Sequence, residues 1–116
     1  MNAEIYNAAE ELVGLLKEKK LLIATAESCT GGLVAGTLVN ADGISEVFKE
    51  SYVTYSNEAK HKLLGVKKET LEKYGAVSRQ TAAEMAEGAV RAAGADASVV
   101  TTGVAGPGGG TEEKPV

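Results

Sequence analysis

From Ala3 to about Lys19, the apolar residues Ile5, Ala8, Ala9, Leu12, Leu15 and Leu16 recur at helical spacing with charges between them, which predicts an amphipathic helix. The pattern then changes. Leu21-Leu22-Ile23-Ala24 is a continuous apolar run, as expected of a parallel strand covered on both faces, and it predicts a strand over Leu21–Glu27. A second helix is predicted from about Thr30 to Asn40, with Leu33, Val34, Thr37 and Leu38 on its inner face and Asp42-Gly43 beyond its end. Ser45–Phe48 reads as one helical turn, and the β-branched and aromatic Ser51–Tyr55 as a second strand. Asn57 is the expected N-cap of a helix over Glu58–Leu64 closed by Gly65. A short helix over Lys68–Tyr74 ends at Gly75. Ser78 caps a longer helix whose inner face is Ala82, Met85, Ala86, Ala89, Val90 and Ala93. Ala97–Thr102 is the third strand and opens into the glycine-rich Gly103–Gly110.

The order of helix, strand, helix, strand, helices and strand predicts a three-layer α/β/α sandwich with a mainly parallel sheet and right-handed crossovers. Composition sharpens this expectation. Of the 116 residues, 44% are hydrophobic but only 4% are aromatic, so one core must be built from Ala, Val, Leu and Ile between closely spaced layers. A net charge of −4 without a basic stripe argues against nucleic acid as a partner. Cys29 is the single cysteine and excludes an internal disulfide, and no Cys/His cluster has metal-ligand spacing, so neither a metal nor a cofactor is expected. The amino terminus lacks the basic-then-apolar form of a signal, and no apolar run approaches the roughly 20 residues that span a bilayer. A cytoplasmic protein without membrane contact is the expectation.

Candidate chemistry centres on Ala26-Glu27-Ser28-Cys29-Thr30-Gly31-Gly32, at the carboxyl end of the first strand, where ligands of open α/β sheets bind. Ser28 is either a nucleophile or the cap of the next helix. As a nucleophile it needs a base. His61, the only histidine, stands among Lys60 and Lys62 on a charge-rich helix and reads as solvated. Lys60 follows the second strand as Ser28 follows the first, so neighbouring strands would bring the two together as a serine–lysine dyad. Free lysine titrates near about 10.4, and a base working near neutrality needs a shift of about 4 kcal/mol, which burial can supply. Glu27 could orient Lys60, bind substrate or satisfy a helix start. Cys29 could be an alternative nucleophile or a small core residue. One of Tyr52 and Tyr55 is expected in the core and the other near the dyad. Gly103–Gly110 is compatible with an anion cradle or with a plain surface loop, and fits neither a Walker A nor a Rossmann pattern.

Taken in order, Ala26–Gly32, Tyr55-Ser56-Asn57-Glu58-Ala59-Lys60 with Leu64-Gly65-Val66, Tyr74–Ser78, and Gly103-Val104-Ala105-Gly106-Pro107 through Glu113-Lys114-Pro115-Val116 resemble the CinA carboxy-terminal domain, the nicotinamide mononucleotide deamidase family. The resemblance implies hydrolysis of the carboxamide of nicotinamide mononucleotide to nicotinic acid mononucleotide and ammonia, in pyridine nucleotide recycling and without a metal. Ser28 and Lys60 match the family's serine and lysine. Alongside them, Tyr55 is a candidate for orienting the lysine or the carboxamide, as is Asn57. Backbone N–H groups around Thr30, Gly31 and Gly32 are candidates for the oxyanion, and Gly103, Gly106, Gly108 and Gly109 for the 5′-phosphate. The family's domain normally continues past Lys114-Pro115-Val116 into further strands and a closing helix. Residues 1–116 are therefore expected to form a single domain lacking those parts, weakly active or inactive alone, homo-oligomeric, and similar to the family's stand-alone form.

Overall fold

The computed structural model describes residues 2–116, and its first helix is closed at both ends by local chemistry. Asn2 accepts a hydrogen bond from the Ile5 N–H at 3.1 Å to start α1 (Ala3–Lys19), and Lys20, in the left-handed region at φ 57°, returns its N–H to the Leu16 and Lys17 carbonyls to stop it. Ala9, Val13 and Leu16 are the buried face of α1. Ile5 and Leu15 are instead 49% and 46% exposed, so the apolar stripe turns toward Val13 and away from part of the expected set.

Three parallel strands form one sheet, with Ile23–Glu27 in the centre between Tyr52–Val53 and Ala97–Thr101. The central strand, β1 (Ile23–Glu27), starts two residues later than the apolar run, because the Leu21 N–H is taken by the Leu16 carbonyl at the exit of α1. β2 (Tyr52–Val53) is shorter than the expected Ser51–Tyr55. The Ser51 hydroxyl accepts from the Thr25 N–H and donates to the Thr25 carbonyl, taking the place of main-chain pairing, and beyond Thr54 the chain turns toward the helix that begins at Asn57. β3 (Ala97–Thr101) pairs with all of β1, from Ile23 opposite Ala97 to Glu27 opposite Thr101.

Alternation along β1 divides the core. Ile23 packs on one face with Val13 and Leu16 of α1, Leu38 of α2 (Leu33–Val39) and Val47. Ala26 packs on the other with Leu64, Val66, Met85 and Ala89, brought by α3 (Asn57–Leu64) and α5 (Arg79–Ala93). The result is the expected sandwich, with helices on both faces of a parallel sheet. α2 begins three residues after Thr30, since Gly31 and Gly32 have φ of 60° and 107° and cannot be helical. Ser56, not Asn57, caps α3, its hydroxyl accepting from the Ala59 N–H at 3.0 Å, which leaves Asn57 as the first helical residue. α4 (Lys68–Tyr74) is tied to α5 by Glu84, which accepts from the Lys67 N–H and the Thr70 hydroxyl. The buried face of α5 is Thr81, Met85, Gly88 and Ala89. Gly88 lies against α3 so closely that a Cβ there would stand 1.9 Å from the Leu64 carbonyl oxygen.

Candidate active site

Ser28 follows β1 and is 8% exposed, its N–H bonded to the Thr101 carbonyl at 3.0 Å. Lys60 lies in the first turn of α3 and is fully buried. Because β1 and β2 are parallel neighbours, both residues come to the same end of the sheet. Lys60 Nζ is 3.1 Å from Ser28 Oγ, 2.7 Å from the Thr54 carbonyl oxygen and 3.3 Å from that of Tyr55. A neutral amine can donate to both carbonyls and still turn its lone pair to the serine hydroxyl. Burial holds the Lys60 pKa below the ordinary lysine value, with the neighbouring Cys29 opposing this to a smaller extent.

Glu27 projects to the opposite face of the sheet from this pair. Its Oε1 accepts from the Thr30 hydroxyl at 2.6 Å, the Gly32 N–H at 3.0 Å and the Val34 N–H at 2.9 Å. Its Oε2 accepts from the Ala35 N–H at 2.9 Å and the Thr25 hydroxyl at 3.3 Å. Of the roles open to it from sequence, satisfying the start of α2 is the one these bonds describe. Burial pushes the Glu27 carboxyl up, but the bonds from Thr30, Ala35, Val34 and Gly32 outweigh it and leave the pKa below the usual carboxylate range.

The remaining candidates divide. Thr30, Gly31 and Gly32 form the turn after Ser28, yet the Gly31 N–H is spent on the Ser28 carbonyl and the Gly32 N–H on Glu27. Among the described residues, it is the N–H groups of Cys29 and Thr30 in that turn that have no partner in the chain. The Tyr55 side chain is 67% exposed, and its carbonyl rather than its ring or hydroxyl meets Lys60. Tyr52 packs on the core, on the opposite side of Ala26 from Val100, as one of the two tyrosines was expected to. Asn57 lines a groove of about 450 Å³ between α3 and α4 with His61, Lys68 and Leu71, a groove that includes neither Ser28 nor Lys60. His61 is exposed and its Nδ1 meets the Val66 carbonyl at 2.8 Å.

Gly103 comes close to the residue after the serine, since a Cβ there would lie 3.4 Å from Cys29 Sγ. Gly106 and Gly109 have positive φ, and none of the N–H groups of Gly103–Gly110, with Gly108 among them, donates within the chain among the described residues. Cys29 is half-buried rather than a core residue. Sequence reasoning passed over Thr54 and Thr101. Thr54 supplies the 2.7 Å carbonyl to Lys60, and its own buried hydroxyl has no partner among the described residues. Only the parallel register reveals either residue, because nothing local marks a threonine at a strand end.

Comparison with known proteins gives a consistent answer. The model of the CinA C-terminal domain matches residues 5–116. The chain is 69% identical over 108 residues to a protein of Clostridium acetobutylicum provisionally named competence-damage inducible protein, covering 92% of this chain and 26% of that protein. A similarly named protein of Clostridioides difficile is 64% identical over 110 residues, with 94% and 26% covered. The chain thus spans about a quarter of the length of these curated relatives. Among solved structures, it is similar to the competence/damage inducible protein CihA of Agrobacterium tumefaciens, with TM-score 0.93 and 47% identity over 100% of this chain and 70% of that one. A CinA superfamily protein of Escherichia coli has TM-score 0.92 and 40% identity over 99% and 68% of the two chains. With its sheet, its helical layers and nearly its whole length matched in this way, the chain belongs to the CinA C-terminal domain family.

Proposed function

We propose that this domain is a serine–lysine amidohydrolase that deamidates nicotinamide mononucleotide. The observation that carries the reading is the buried Lys60 amine, 3.1 Å from Ser28 Oγ with two carbonyls available for its N–H bonds. Ser28 Oγ attacks the carboxamide carbon while Lys60 takes the hydroxyl proton. The tetrahedral oxyanion accepts hydrogen bonds from the free N–H groups of Cys29 and Thr30. Lys60 then gives its proton to the departing nitrogen, ammonia leaves, and Ser28 carries the nicotinoyl group as an ester. Water attacks that ester, Lys60 accepts the water's proton and returns it to Ser28 Oγ, and the free acid departs. The open N–H groups of Gly103–Gly110, starting beside Cys29, receive the 5′-phosphate.

No step calls on a metal. Ammonia release from nicotinamide mononucleotide and from a panel of pyridine amides tests the reading. Release confined to the nucleotide supports it, release from other amides alone assigns the dyad to another substrate, and nucleotide binding without release makes the domain a binding module.

A further inference from the structure

The turn that carries Ser28 is soft by composition and yet tightly held. Gly31 and Gly32 both stand in the left-handed region, where glycine is cheapest and where it also loses the most conformational freedom on ordering. Three hydroxyl and carboxylate groups oppose that softness. Thr30 Oγ1 donates to Glu27 Oε1 at 2.6 Å, so its hydrogen is committed, and the 2.8 Å contact between Thr30 and Thr101 hydroxyls must then be a donation from Thr101. Thr101 Oγ1 also lies 3.4 Å from the Ser28 N–H, beside the Thr101 carbonyl that accepts it. A chain of hydrogen bonds from Thr101 of β3 through Thr30 to Glu27 thus ties down the serine turn. Gly32, the N-cap of α2, has no side chain to offer, and the Glu27 carboxylate reaches the Gly32, Val34 and Ala35 N–H groups in its place. Burying a charge for a task a serine cap could do is expensive unless the charge fixes geometry as well.

We propose that Glu27 is a positioning residue for the nucleophile: by gripping the Thr30 hydroxyl together with the first N–H groups of α2, it sets the Ser28–Gly31 turn so that Ser28 Oγ meets Lys60. This rests on the amidohydrolase reading of Ser28. Glu27 lies across the sheet from Lys60 and takes no proton in the reaction, so its effect is on aim alone, and a displacement of about 1 Å at a reacting atom can cost about a hundredfold in rate.

The test pairs two readouts on purified protein: ammonia release, and sulfonylation of Ser28 by phenylmethylsulfonyl fluoride followed by intact mass. In the second, Ser28 Oγ displaces fluoride from sulfur while Lys60 takes the proton, and no nucleotide is needed. Glu27→Gln and Thr30→Val are each expected to lower sulfonylation and kcat at least tenfold, with KM changed less than threefold and the pH at the midpoint of the activity profile unmoved. Thr30→Ser, which restores the hydroxyl, recovers most of the loss. Thr30→Val keeps the three N–H bonds to Glu27, so it answers the question even if Glu27→Gln unfolds. Sulfonylation within twofold of the parent in folded Thr30→Val overturns the proposal. If the parent sulfonylates with this Thr30 dependence but releases no ammonia, the positioning role stands and the substrate reading fails. If it releases ammonia and Thr30→Val does so equally well, the substrate reading stands and the positioning role fails.

Discussion

A neutral amine has two N–H bonds and one lone pair, and Lys60 faces two carbonyls and one hydroxyl. In the proposed reaction its use as a base depends on how easily it loses a proton, which burial promotes. Activity requires the neutral form, so kcat/KM should rise with pH along a single limb centred below the ordinary lysine value of about 10.4 and fall tenfold per pH unit on the acid side. The same shift has a consequence for stability. The unfolded chain binds the Lys60 proton more tightly than the folded one, so between the two pKa values stability rises with pH. Urea titrations should show the parent gaining on Lys60→Met as pH approaches 10. Ser28→Ala and Lys60→Met should each bring turnover to background, and the double variant should be no worse than either, because members of one catalytic unit are non-additive. Near-parental turnover in either single variant would remove the dyad.

Glu27 behaves in the opposite sense. Its folded pKa is depressed, so its contribution is complete above about pH 4.3 and is lost as pH falls through the folded value. Glu27→Gln should lower stability by about 1–3 kcal/mol at neutral pH, and the gap should close in acid.

At the scale of elements, α3 holds Lys60 in place through its cap and through Gly88 of α5. Ser56→Ala removes the hydroxyl that accepts the Ala59 N–H and should cost about 1 kcal/mol. Gly88→Ala should cost about 3 kcal/mol, since its methyl group would meet the Leu64 carbonyl and force the helices apart. Thermal unfolding measures both. Turnover in Gly88→Ala below its transition should also fall, because Leu64 ends the helix that carries Lys60. Spacing placed the helices and strands among the described residues, with errors at their ends and in the inner faces of α1 and α2, which leave Ile5, Leu15 and Leu33 exposed. The errors at the ends have identifiable causes: Ser51 substitutes its side chain for the strand ladder, Gly31 and Gly32 delay α2, and Ser56 takes the cap expected of Asn57.

For the molecule as a whole, residues distant in sequence converge at one end of the sheet: Ser28 after β1, Thr54 and Lys60 after β2, and Gly103–Gly110 after β3. If the loop receives the phosphate, nicotinamide riboside should be a much poorer substrate than the mononucleotide, since binding energy remote from the reacting carbon contributes to the rate. Equal kcat/KM for the two removes the loop from that role. No helix among the described residues is long and apolar enough to cross a membrane.

The alternation of apolar runs and amphipathic segments by itself determines that this chain folds as helices around a parallel sheet, because burial of each apolar face allows few other arrangements. The motif Ala26–Gly32 and the lysine after the second strand were equally legible, since chemistry at strand ends follows from element order. Which atoms meet was decided by the tertiary structure. Register places Thr101 against the Ser28 N–H, the turn after β2 aims two carbonyls at Lys60, and strand alternation sends Glu27 away from the lysine to the start of α2. A local pattern specifies the face on which a residue lies, and only the packing of distant segments specifies its partners there.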